Sequence, residues 1–160
     1  MKGRSGRHLT LAWSATSRVP NVLRVAFASS NGNTVDQHFG AATGFAIHAL
    51  DGERSQLVEI AEFPPECPEG NENKLPAKIA VLVGCGAVYC LAAGASAVKQ
   101  LLAVGVQPIR LDDETDIEEL LRQIGQAIRD GGIPWVEKAI RRTRDDRERF
   151  DRMAEEGWEE

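Results

Sequence analysis

At 160 residues and 42% apolar content, the chain can bury a sizeable core as one globular domain, which excludes wholesale disorder. The net charge of −5 is unevenly placed: residues 1–20 carry four basic and no acidic side chains, and the rest is acidic with no basic stripe for a nucleic acid. Nothing approaches the ~18 apolar residues of a membrane helix, Leu9–Trp13 is too short for a signal-peptide core, and three cysteines make no even disulfide framework, so a cytoplasmic protein is expected.

Residues 1–20 lack periodicity and read as a flexible basic leader. Val22 to Ala28 is apolar without alternation, as suits a central strand buried on both faces. A polar loop rich in Ser, Asn and Gly follows, ending in Gln37-His38-Phe39-Gly40; strand-end loops of this kind form mobile, polar edges where sites gather. Phe45–Leu50 and Leu57–Phe63 read as two strands joined by an Asp51-Gly52-Glu53 hairpin, and Pro64-Pro65 stops the second of them. Leu75, Ile79, Leu82 and Val83 mark one helical face, with Asn73 as its cap and Pro76 in its first turn.

Ala87–Cys90 is a short strand, and Val98, Leu101 and Leu102 belong to a helix closed by Gly105. Val106–Leu111 is the fifth strand. Thr115 and Glu118 have capping-box spacing ahead of the stripe Ile117, Leu120, Leu121, Ile124 and Ile128, which Gly131-Gly132 breaks. The α/β domain thus spans residues 21–132, and residues 133–160 form a charged helical tail opened by Pro134. Phe150, Ala154 and Trp158 fall four apart there, the mark of either a solvated helix end or a docking face.

The order β-β-β-α-β-α-β-α gives a three-layer α/β fold: a mixed five-stranded sheet ordered 3-2-1-4-5 with helices on both faces. Strand 1 then lies beside strand 4 at a switch point, where ligands bind outside the carboxyl ends of strands. His38, Cys67 and the Gly94-Ala95-Ser96 helix start converge on that rim. Imidazole ligates transition metals and thiolate binds iron–sulfur species; a helix N-terminus seats an anion. A lone loop histidine is more often just a polar loop residue, and Cys67 needs no function to be exposed. Cys85 and Cys90, flanked by Gly, Ala, Val and Tyr, read as small buried hydrophobes. His8 and His48 receive no role. G-x-S-x-G, Walker A, H-E-x-x-H and C-x-x-C patterns are absent, and strands 1 and 4 lack the carboxylates a metal-dependent nuclease requires.

Four blocks in order, Val25–Ser30 with Val35–Gly40, Gly70–Leu75, Gly84–Cys90 and Gly94–Val98, resemble the dinitrogenase iron–molybdenum cofactor biosynthesis (NifX/NafY) family. Arg149–Met153 and Glu156–Trp158 extend the likeness into the tail. The resemblance implies a ribonuclease-H-like, non-enzymatic domain of nitrogen fixation. Such a protein carries the iron–molybdenum cofactor or its Fe–S precursor as transient cargo, between NifB and NifEN-type assembly proteins. A histidine of the corresponding loop is implicated in cofactor binding in that family, and His38 matches it; Gln37 stands beside it. The competing class is a non-catalytic regulatory or interaction module of nitrogenase assembly.

Overall fold

The structure, a computed structural model, describes residues 22–63 and 71–157. Its centre is β1 (Leu23–Ala28), whose alternate residues enter opposite layers: Val25 and Phe27 on one face, Ala26 and Ala28 on the other. Burial on both faces explains the unbroken apolar run. β1 pairs antiparallel with β3 (Gly44–Leu50), which pairs antiparallel with β4 (Ser55–Glu62). On its other side β1 pairs parallel with β5 (Ala87–Cys90), and β5 with β6 (Gln107–Arg110).

The sheet is therefore mixed and five-stranded, ordered β4-β3-β1-β5-β6. The strand arrangement differs from expectation in one detail. Two further strands, β2 (Thr34–Val35) and β7 (Thr115–Asp116), form a separate antiparallel ladder. Two-residue strands leave too short a pattern for periodicity to show.

Helices α1 (Asn71–Leu82) and α2 (Ala95–Ala103) cover one face, contributing Ile79, Leu82, Ala97 and Leu101 to its core. Helices α3 (Ile117–Asp130) and α4 (Pro134–Gly157) cover the other, with Leu120, Leu121, Ile124, Trp135 and Val136. Helix α1 begins before the expected cap, so Asn73 is helical and Pro76 lies in the helix interior, where its missing N–H removes a ladder bond. The expected capping box at Thr115 does not form. Thr115 is committed to the β2–β7 ladder and its hydroxyl donates to the Asp113 carbonyl at 2.9 Å, so α3 starts from Asp116. The hairpin at 51–54 is tied by the Asp51 carboxylate, which accepts the Glu53 and Arg54 amides at 2.9 Å each. Among the described residues, no helix is long and apolar enough to cross a membrane.

His48 of β3 lies edge-on to Phe27, with ring centroids 5.6 Å apart, and neither ring nitrogen has a hydrogen-bond partner. Burial pushes its pKa down from 6.5 to about 4. The unfolded chain therefore takes up this proton first as pH falls. The stability that His48 contributes is complete above about 6.5 and drains away as pH drops toward about 4, a loss on the order of 2–3 kcal/mol. In urea unfolding at pH 7 and 4.5, a His48→Phe variant should lose distinctly less stability on acidification than wild type. Equal losses would remove His48 as the cause.

Candidate functional site

The loop leaving β1 is polar because it satisfies itself. Ser29 Oγ accepts the Gly32 amide at 2.8 Å, and Asn31 Oδ1 accepts those of Asn33 and Thr34 at 2.7 and 3.0 Å. The Ser30 amide and hydroxyl both donate to the Asp36 carboxylate, at 2.9 and 2.6 Å. Gly32 supplies the positive φ, 81°, that the turn requires. What reads as a mobile edge is thus an organised hydrogen-bonded loop, closed further along by β2 against β7.

The next segment sets the orientation of His38. The Leu91 amide donates to the Gln37 carbonyl at 3.0 Å, and the Phe39 amide to the Ala92 carbonyl at 2.7 Å. Phe39 is fully buried against Phe45, with centroids 5.3 Å apart, while His38 between these anchors is exposed. Residues 39–41 turn back directly after His38. Phe39 goes into the core at the start of that turn, and the imidazole before it stays on the solvent side. The Gln37 carboxamide accepts the Thr43 amide at 2.9 Å, which fixes the return of the loop into β3.

Strands β1, β4, β5 and β6 run in one direction, so the loop from β1 and the loop from β5 share a rim. There, His38, Gly40 and Ala41 form one wall of an open cleft of about 720 Å³. Leu75 and Pro76 of α1 contribute a second wall, and Gly94, Ser96 and Gln100 a third. The volume falls within the roughly 300–1,000 Å³ of small-ligand sites. Gly94 is the N-cap of α2; it carries no side chain to cap the helix, and the first turn holds no acidic residue. The amides of Ala95, Ser96 and Ala97 open the helix, where the backbone leaves its first N–H groups without intrahelical partners and concentrates positive dipole.

His38, Gly94 and Ser96 thus border the same cleft. Ala95 is exposed at the start of α2, whereas the Gln37 side chain is occupied with Thr43. Cys67 lies outside the described residues. The loop after β6, residues 112–115, leads into the β2–β7 ladder beside the β1 loop and does not line the cleft. Cys85 and Cys90 are buried, and burial pushes their thiols up to about 12 and about 11, which keeps both protonated and poor as ligands. Among the described residues no three His, Cys, Asp or Glu side chains gather as a metal-holding group.

Sequence reasoning missed Lys78. It stands three residues after Leu75 and four before Leu82, on the apolar stripe itself, and a lysine on such a stripe was the available signal. It is 1% exposed, and its ammonium donates to the Gly40 carbonyl at 2.7 Å.

Residues 21–127 match the family model described as dinitrogenase iron-molybdenum cofactor. The chain is 52% identical over 140 residues to Protein NifX of Azotobacter vinelandii, covering 87% of this chain and 89% of that protein. It is 34% identical over 136 residues to Protein NifX of Klebsiella pneumoniae, covering 84% and 82% respectively. The crystal structure of PH0822 shares the fold, with a TM-score of 0.52 at 24% identity over 64% of this chain and 88% of that one. The matched region runs from the strand before the His38 loop almost to the end of α3, and on these grounds the chain belongs to the dinitrogenase iron–molybdenum cofactor family.

Proposed function

We propose that this chain is a non-enzymatic carrier in iron–molybdenum cofactor biosynthesis. It takes an anionic Fe–S precursor of the cofactor, or the cofactor itself, into the rim cleft and gives it up to the next assembly protein. One observation carries the reading: an exposed imidazole borders the same open cleft as an uncapped helix start. Imidazole ligates an iron of the cluster, and the amides of Ala95 and Ser96 face its negative charge. Few ligands suit cargo that must leave again. Membership of the family and the NifX relatives supports the biosynthetic setting. A NifB-type donor and a NifEN-type acceptor are the partners proposed, in the cytoplasm.

Protons compete with iron for the imidazole nitrogen, so cargo affinity should fall as pH drops from about 8 to about 5.5. Anaerobic titration with isolated Fe–S precursor at each pH checks this. Flat affinity over that range would count against imidazole ligation.

A second reading, an interaction module, is favoured by α4. Its opening turn packs Trp135 and Val136 into the core, but Phe150 and Met153 are 70% and 60% exposed. Deleting residues 144–160 should leave body stability within roughly 0.5 kcal/mol, because the described side chains removed are exposed. The carrier reading expects cargo affinity to persist in that truncation, with any loss confined to capture by assembly proteins. Loss of cargo binding on truncation would shift the site to the tail.

A further inference from the structure

We infer that Lys78 is a positioning residue for the cargo cleft: its buried ammonium pins the turn that presents His38. The inference rests on the cleft reading above and adds to it the group that holds the ligand in place.

A lysine is rarely buried unless its charge is well accommodated, because desolvating an ammonium is costly. Lys78 is 1% exposed, and its neighbours on α1 include the core residues Ile79 and Leu82. Its ammonium reaches across 38 positions of sequence to the Gly40 carbonyl at 2.7 Å and lies 5.9 Å from the Phe63 ring centroid. Gly40 is two residues past His38, inside a pair of tight turns in which the Ala41 amide donates to His38 and the Ala42 amide to Phe39. The segment is therefore held at three points: the buried Phe39 ring, the Phe39 amide on Ala92, and the Gly40 carbonyl on Lys78. The first two fix Phe39 and Lys78 fixes Gly40, the two residues that follow His38.

The test uses the full-length protein as wild type, Lys78→Met, Lys78→Arg and His38→Ala. A hydrogen bond from a charged donor is lost in Lys78→Met, so amide hydrogen exchange at Phe39 and Ala41 should accelerate by about tenfold or more. The Val25 and Ile47 amides of the central strands serve as the folding control and should not change. Affinity for isolated Fe–S precursor should fall in parallel, and Lys78→Arg, which keeps charge and donor, should recover part of both effects. Should Lys78→Met fail to fold, Lys78→Gln is read in the same way. Unchanged exchange at Phe39 and Ala41 overturns the inference. Faster exchange with unaltered cargo affinity overturns it too, provided His38→Ala weakens binding. If His38→Ala binds cargo as wild type does, the cleft reading fails instead, and the exchange data alone decide whether Lys78 holds the loop.

Discussion

Replacing Trp135 by alanine is expected to lower the unfolding free energy by about 3–5 kcal/mol, as full truncation of a buried aromatic does. Trp135 is 6% exposed and joins α4 to the sheet. Its indole N–H donates to the Tyr89 hydroxyl at 3.0 Å, and its ring meets Tyr89 edge-on with centroids 6.5 Å apart. Tyr89 stacks in turn on Phe27, at 5.5 Å, so one aromatic row links α4, β5 and β1. The fit is tight at Gly86, where a Cβ would come within 2.8 Å of the indole. Alanine would leave a cavity over that glycine and deprive the buried Tyr89 hydroxyl of its donor. Denaturant unfolding reads the effect, and a loss below ~1 kcal/mol would show that α4 contributes little to the core.

His38→Ala should do the opposite. The side chain is exposed, so unfolding free energy should stay within roughly 0.5 kcal/mol of wild type. Cargo affinity should nonetheless drop by at least about tenfold, or 1.4 kcal/mol. The contrast is the useful part. A variant that folds as well as wild type yet loses its cargo separates ligation from scaffold, and circular dichroism with thermal unfolding establishes the first half. The effect should be largest at high pH and should shrink in acid, where protons compete with iron for the wild-type ligand.

The five strands of the main sheet and the four helices were legible because each carries a period or an apolar run set between breaking residues. Ala26 and Ala28 facing one layer and Val25 and Phe27 the other is what an unbroken apolar run in a central strand means. The β2–β7 ladder was not legible, since two residues carry no period and the pairing joins positions 34 and 116. The cap expected at Thr115 failed for the same reason, a tertiary ladder overriding a local preference. His38 could be placed on the rim from topology alone. Its exposure depends on Phe39 being driven inward, a packing fact that only the fold supplies. Lys78 was visible as a charge on an apolar stripe, but its target lies 38 residues away and no local rule points to it.

Cargo binding as proposed depends on one imidazole bordering the cleft beside the start of α2. Anaerobic titration of wild type and His38→Ala with isolated Fe–S precursor, followed by the cluster's absorption and by equilibrium dialysis at about pH 8, addresses it most directly. Wild type should bind saturably, and the variant with an affinity at least about tenfold weaker. Equal affinity in the two proteins, both fully folded, would contradict it.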